Sequence, residues 1–126
     1  MYRVEILNQD GASFKVRSEG CEFIISSGGK AITPPAALLA SLGSCIGVYA
    51  RKYLEGAGIA SSGFNIAIEA EFSKEKPVCF AVIDVTVDLK GVLFDERRKD
   101  AFLSFVKNCP VHNTLRANPE IKIKII

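Results

Sequence analysis

Hydrophobic and polar residues alternate over the first quarter of the chain. Three short runs that are rich in β-branched and aromatic residues, at positions 1–7, 13–17 and 22–26, are separated by the turn-type sequences NQDG and SEG. Alternation with a period of two indicates strands with one buried face, and short polar connections that contain glycine are typical of hairpins. This part of the sequence predicts a three-stranded antiparallel meander.

A long apolar segment follows the meander. Thr33 precedes two prolines and the run AALLASLGSCIGVYARKYLEG, whose first half is apolar on nearly every face. Threonine caps helices whose first turn holds proline, so we predict a helix that runs to about Glu55 and stops at Gly56 or Gly58. A helix that is hydrophobic all round is buried on all sides. One small domain encloses such a helix with difficulty, which favours a dimer that sandwiches it.

The second half of the chain returns to strands and then changes to helices. Residues 64–72 and 78–89 alternate about a turn at 74–77 and predict a long hairpin. Residues 95–107 begin with acids and end with lysine, which predicts a second helix. A short helix begins at Pro110, and alternating isoleucine and lysine at 121–126 predict a last strand. This order indicates an α+β fold with mostly antiparallel pairing, in a single domain over residues 1–126.

The composition is typical of a soluble globular protein. Apolar residues make up 48% of the chain and charged residues 24%, and the net charge is +2. Cations and anions are interleaved without a basic stripe, so no nucleic acid partner is expected. The N-terminus lacks a signal-peptide pattern, and the longest uncharged run, 31–50, holds two prolines and many small residues. We therefore expect a cytoplasmic protein without a membrane span.

Four cysteines and one histidine are the candidates for chemistry. No pair of cysteines forms a Cys-x-x-Cys motif, and only Cys109 and His112 are close in sequence. Structural zinc needs four ligands that usually come in close pairs, so no metal or organic cofactor is expected. Cys21 and Cys79 are interpreted as small packing residues. In the cytoplasm, paired cysteines are more often catalytic or metal-binding than structural disulfides.

The other two cysteines have more distinctive surroundings. Cys45 lies in the middle of the apolar helix between Gly43 and Gly47, which leave room beside the sulfur for a close helix partner or a small ligand. Cys109 directly precedes Pro110 at a predicted helix start, where free N–H groups and the helix dipole lower the pKa of a thiol. From the residues alone, the pair is either redox-active or two inert packing residues.

Two stretches together resemble the cysteine motifs of the OsmC/Ohr family of osmotically inducible and organic hydroperoxide resistance proteins. They are TPPAALLASLGSCIGVYARKYLEGAGI, at residues 33–59, and CPVHNTL, at residues 109–115. Their spacing, the element order and the chain length match, so the resemblance covers the whole domain. It implies an intertwined homodimer in which antiparallel sheets from both chains wrap around long buried central helices.

The resemblance also implies an activity in oxidative stress, that of a thiol-dependent peroxidase. Cys45 would attack an organic hydroperoxide and become a sulfenic acid, and Cys109 would condense with it to a disulfide. An external thiol or a lipoyl protein would then reduce the disulfide by exchange. Both cysteines are thus the expected catalytic residues of an oxidoreductase.

The chain departs from well-studied branches of the family at two places. Those branches carry an arginine before the Asp-Gly of the first turn and a glutamate after the helix-opening proline, and both activate the peroxidatic thiol. Here Gln9 replaces the arginine, and Pro35 and Ala36 are the candidate positions for the glutamate. These departures keep open an alternative, a non-peroxidatic member that binds a small ligand or senses redox state.

Other basic residues are candidates for the missing charge. Lys52 is seven residues beyond Cys45 and therefore lies on roughly the same helix face. His112 is one turn beyond Cys109 and could donate a hydrogen bond to its sulfur or to a ligand. The candidates to replace the family arginine are Arg17, Arg51 and Lys52.

Overall fold

The elements of the chain follow the predicted order as far as the third helix. The computed structural model describes residues 1–126, which divide into two compact units, Met1–Ala40 and Ser41–Ile126. The first unit holds strands β1 (Glu5–Asp10), β2 (Ser13–Ser18) and β3 (Cys21–Ser26), and helix α1 (Pro34–Gly56) begins there and continues into the second. The second unit also holds β4 (Asn65–Phe72), β5 (Phe80–Asp88), α2 (Glu96–Val106) and α3 (Pro110–Ala117). The architecture is α+β with antiparallel sheets, as predicted.

The first unit contains the expected antiparallel meander in the order β1-β2-β3. The β2–β3 connection is tight, because Ser18 pairs with Cys21 and leaves only Glu19 and Gly20 in the turn. Both turn residues have positive φ angles, 49° and 82°. This conformation matches the right-handed twist of the flanking strands, so two residues are sufficient to reverse the chain.

The predicted bounds of the first strand are wrong at both ends. β1 begins at Glu5 rather than Met1, and it includes the first three residues of the predicted turn NQDG, so that it ends at Asp10. Asp10 pairs with Ser13 after an irregularity in the register that begins at Asn8. The Asn8 side-chain amide donates to the carbonyls of Gly11 and Ser13 at 3.0 Å each. These bonds stabilise the bulged strand and shift the turn to the two residues after Asp10.

Helix α1 begins and ends where its sequence predicts. The Thr33 hydroxyl accepts a hydrogen bond from the backbone N–H of Ala36 at 3.4 Å, which satisfies one of the free donors of the first turn. At the other end Gly58 has a φ of +66°, and the N–H of Ile59 donates to the Leu54 carbonyl at 2.9 Å. A left-handed glycine of this kind commonly terminates a helix. None of the helices is both long and apolar enough to cross a membrane.

In one copy of the chain, α1 is buried along one face only. Its buried residues recur about once per turn, and they are Leu42, Gly43, Ile46, Ala50 and Leu54. Val48 lies on another face and is 52% exposed. The expectation that the helix is buried on all sides is therefore not met by a single copy.

The core of the second unit lies between α1, the β4–β5 hairpin and α2. In the hairpin Ile68 pairs with Val85, and both pack against buried residues of α1 and α2. Tyr53 of α1 meets Phe102 of α2 edge to face, with ring centroids 5.4 Å apart. The alternating positions of the hairpin thus cover the buried face of α1, as their period predicts.

The predicted last strand is absent. Residues 121–126 form no strand, and Ile123 in their middle is 89% exposed. An alternating segment becomes a strand only when its backbone pairs with a neighbouring strand, since unpaired N–H and C=O groups remain bonded to water. No strand of the same chain pairs with this segment.

Candidate active site

The start of α3 holds Cys109 in a fixed position. Cys109 is the residue that caps the helix, and Pro110 follows in the first helical position. Its Sγ accepts a hydrogen bond from the backbone N–H of His112 at 3.3 Å, and its carbonyl accepts from the N–H of Asn113 at 3.0 Å. The sulfur therefore fills the capping role that serine, threonine or aspartate oxygen usually has.

The structure brings the two predicted catalytic cysteines together. Cys45 lies midway along α1, is half-buried, and packs against the core cluster that contains Cys109. Cys109 is completely buried, with 0% of its surface exposed. Both thiols are free, with no disulfide between them. The site therefore consists of one partly accessible sulfur beside one inaccessible sulfur.

Cys109 keeps its proton more strongly than an ordinary thiol. Burial is the main cause that raises its pKa, and a side-chain hydrogen bond with Cys45 raises it further. The backbone N–H groups of His112 and Val111 act in the opposite direction. The prediction that the helix start lowers the Cys109 pKa is wrong in its net direction, because burial outweighs the two N–H groups.

The glycines beside Cys45 allow the helix to approach β4. A Cβ on Gly43 would lie 2.9 Å from Cδ1 of Ile68, and one on Gly47 would lie 3.4 Å from Cδ1 of Ile66. The small residues therefore serve a helix–sheet contact. The space that their sequence indicated for a second helix or a ligand is occupied by side chains of the hairpin.

The remaining two cysteines lie on the surface. Cys21 and Cys79 are both exposed, so the interpretation of each as a packing residue is wrong. Cys21 ends up exposed because it directly follows a two-residue turn. Cys79 directly precedes β5, and its Sγ is 4.0 Å from the hydroxyl of Ser73.

The basic candidates all have other partners. The Arg51 guanidinium lies 5.1 Å from the ring centroid of Phe64, and the Lys52 ammonium lies 5.0 Å from that of Tyr49. Both are cation–π distances. Arg17 pairs with Glu22 at 2.8 Å. Within the second unit, no hydrogen bond joins Arg51 or Lys52 to either cysteine of the pair.

The positions of the missing family residues carry no substitute charge. Gln9 lies in β1, and Pro35 and Ala36 lie in the first turn of α1. Nδ1 of the His112 ring lies 3.2 Å from the side-chain oxygen of Asn113. His112 therefore contacts Cys109 through its backbone rather than its ring. The Cys-Pro sequence at a helix start was the signal for this contact, because a capping residue accepts from the third residue of the helix.

No group of three or more histidine, cysteine, aspartate or glutamate residues is arranged to hold a metal ion. The groups that the site itself offers are two neighbouring sulfurs and the backbone N–H groups around Cys109. Such a pair can be oxidised to a disulfide and reduced again by thiol exchange.

Comparison with known proteins identifies the family. A family model described as OsmC-like protein matches residues 27–124, which include both cysteines, and the chain belongs to this family. No curated protein matches the chain. The resemblance that the two cysteine motifs indicated is thus confirmed.

Solved structures share the fold at low sequence identity. An OsmC-like protein from Mycoplasma pneumoniae is 22% identical, with a TM-score of 0.76 over 92% of this chain and 87% of that one. An organic hydroperoxide resistance protein from Elizabethkingia anophelis is 18% identical, with a TM-score of 0.61 over 94% and 91%. An OsmC-like hydroperoxide resistance protein from Jannaschia sp. CCS1 is 14% identical, with a TM-score of 0.58 over 88% and 81%.

Proposed function

We propose that the protein is a thiol-dependent peroxidase that reduces organic hydroperoxides, with Cys45 as the peroxidatic and Cys109 as the resolving cysteine. The observation that carries the proposal is the contact between these thiols, which come from distant parts of the sequence. The family and the hydroperoxide resistance proteins of the same fold favour this chemistry over an inert cysteine pair.

The first step takes place at Cys45. Its sulfur attacks the terminal, hydrogen-bearing oxygen of the hydroperoxide, the O–O bond breaks, and the departing alkoxide takes up the proton that the Cys45 thiol loses and becomes an alcohol. Cys45 is left as a sulfenic acid. Cys45 suits this role because it is the more accessible sulfur of the pair and because Cys109 lies close enough to interact with it.

The second step closes the disulfide. The Cys109 sulfur attacks the sulfenic sulfur, and the hydroxide that leaves combines with the Cys109 proton to form water. The overall reaction converts one hydroperoxide and two thiols into one alcohol, one water and one disulfide. Two equivalents of an external thiol, or one dithiol such as a reduced lipoyl group, then restore both cysteines.

The alternative is a redox-sensing or ligand-binding member of the family that does not turn over. It is favoured by Gln9 and Ala36, which supply neither the guanidinium nor the carboxylate of the well-studied branches. A small-ligand site beside Cys45 is the weaker form of this alternative, because Ile66 and Ile68 occupy the space next to the helix glycines.

We further propose that the protein is a cytoplasmic homodimer. Val48 of α1 is an apolar side chain that a single copy leaves exposed, and residues 121–126 keep the alternation of a strand without a partner. Pairing of this segment with an open strand edge of a second copy would satisfy its backbone and cover its isoleucines. A reducing compartment such as the cytoplasm keeps the cysteine pair ready to react.

The test is consumption of cumene hydroperoxide by reduced protein with excess dithiothreitol or dihydrolipoamide. Turnover with one alcohol formed per hydroperoxide, lost in Cys45→Ser and kept in Cys79→Ser, would support the peroxidase. Cys79→Ser is the matched control because it removes an exposed thiol outside the site. Oxidation of the pair without turnover would favour the redox sensor, and consumption equal in wild type and Cys45→Ser would refute the peroxidase.

A further inference from the structure

The two sulfurs of the site are unequal targets for a reductant. Thiol exchange proceeds by attack of a thiolate on one sulfur of a disulfide while the other sulfur leaves, and access to each sulfur is one of the factors that govern the rate of attack. Cys45 is partly open to solvent, and Cys109 has no exposed surface. Access alone therefore makes Cys45 the point of attack.

Neighbouring side chains cover Cys109 completely, so an external thiol has no direct access to its sulfur. Cys109 belongs to the most buried cluster of the protein, between α1 and α2, and an incoming thiol would have to displace these side chains. Interiors are close-packed, so such displacement needs local unfolding. The other members of the cluster are Leu42, Ile46, Ala50, Phe102 and Val106.

Two backbone N–H groups partly offset the effect of burial when Cys109 leaves as a thiolate, although the net shift of its pKa is upward. The N–H groups of Val111 and His112 both interact with its sulfur in the direction that favours the thiolate, and the His112 nitrogen is 3.3 Å away. Helix α3, opened by Pro110, holds these donors in place before the reaction. Preorganised donors stabilise a charge that develops on a leaving atom.

Burial of Cys109 then makes the step hard to reverse. Because burial raises the Cys109 pKa, the released thiolate takes up a proton and becomes a thiol. A thiol does not attack the mixed disulfide, since the thiolate is the nucleophile. The N–H groups thus stabilise the Cys109 thiolate as it leaves. Burial then favours its protonated form, which does not attack the mixed disulfide.

We propose that the external reductant attacks Sγ of Cys45, that the mixed disulfide forms on Cys45, and that Cys109 is the leaving group. The inference rests on the Cys45–Cys109 disulfide of the proposed function. The Cys45–Cys109 bond breaks as the bond between Cys45 and the reductant forms, and Cys109 takes a proton from solvent. A second reductant thiol then displaces Cys45, so two thiols become one disulfide and the protein regains both thiols. Sγ of Cys45 thereby reacts with both substrates, the hydroperoxide and the thiol reductant.

The first test compares access to each sulfur. In a protein with Cys21→Ser and Cys79→Ser, Cys109→Ser leaves only Cys45 and Cys45→Ser leaves only Cys109. We expect the Cys109-only protein to react with 5,5′-dithiobis(2-nitrobenzoate) about 100-fold more slowly, because its sulfur is reached only by local unfolding. In guanidinium the two rates should become equal, which shows that both thiols are intact. Equal rates in the folded proteins would overturn the inference.

The second test locates the mixed disulfide without using a peroxide. The pair is oxidised with diamide in the Cys21→Ser, Cys79→Ser protein, exposed briefly to limiting glutathione, quenched with acid, alkylated under denaturing conditions and mapped by mass spectrometry. We expect glutathione on Cys45 and the alkyl group on Cys109. Glutathione on Cys109, or failure of the pair to form a disulfide, would overturn the inference.

Different results would refute the proposed peroxidase function and the proposed attack of the reductant on Cys45. Glutathione on Cys109 together with hydroperoxide turnover would leave the peroxidase standing without the inference. Glutathione on Cys45 without hydroperoxide turnover would leave the inference standing for a redox sensor.

Discussion

A Cβ placed on Gly43 would lie 2.9 Å from Cδ1 of Ile68, so α1 lies against β4 more closely than any residue but glycine allows without a shift. Gly47, one turn further along the helix, has its nearest neighbour at 3.4 Å, which is close to ordinary van der Waals contact. Cys45 lies between these two glycines. The closeness of helix and hairpin therefore contributes to the position of the Cys45 sulfur.

Alanine should stabilise the protein at Gly47 but not at Gly43. Alanine favours a helix interior over glycine by about 1 kcal/mol. At Gly47 this gain should be kept, and the free energy of unfolding should rise by about 0.5–1 kcal/mol. At Gly43 the Ile68 side chain must move, and overpacking costs about 1–3 kcal/mol, so Gly43→Ala should be neutral or destabilising. Urea unfolding of both variants tests this; equal stabilisation would show that the contact at Gly43 imposes no constraint.

Features of the fold that depend on local signals were predictable from the sequence. The bounds of α1 follow from Thr33 and the glycine after its end, and the inward face of the hairpin follows from alternation. The direction of the Cys109 pKa shift was not predictable, because the burial that causes it depends on side chains of α1, which are distant in sequence, as well as on those of neighbouring α2. The last strand was predicted wrongly, because alternation marks the faces of a strand and says nothing about its pairing partner.

Burial of Cys109 should make stability depend on alkaline pH. The folded protein holds the Cys109 proton to higher pH than the unfolded chain, because the pKa is raised in the folded state. The stabilising contribution is complete below the ordinary thiol pKa of about 8.5 and is lost as pH rises through the higher folded-state value. We expect the free energy of unfolding of reduced wild type to fall more steeply above that pH than that of Cys109→Ser. Parallel curves in urea unfolding would contradict this.

Two leucines allow a matched test of the core. Leu54 of α1 has 0% of its surface exposed, whereas Leu103 of α2 is 42% exposed. Leu54→Ala should lower the free energy of unfolding by about 2–5 kcal/mol, because the change leaves a cavity. Leu103→Ala should cost less than about 1 kcal/mol, as is usual at the surface. Both changes remove the same atoms from a helix, so equal losses would contradict the burial that separates them.

The C-terminal segment provides the test of the proposed dimer. Ile121 and Ile123 are 80% and 89% exposed in one copy, and removal of their apolar surface should weaken pairing with a second copy. We expect light scattering during size-exclusion chromatography to give a dimer mass for wild type and a monomer mass for Ile121→Ser, Ile123→Ser at the same concentration.

Leu93→Ser is the control for the loss of exposed apolar surface, because Leu93 is 93% exposed in the connection between β5 and α2. It should remain a dimer, since it lies outside the segment that keeps the pattern of a strand. A dimer of unchanged affinity in the Ile121→Ser, Ile123→Ser protein would exclude the segment from the interface. A monomeric wild type would refute the dimer itself.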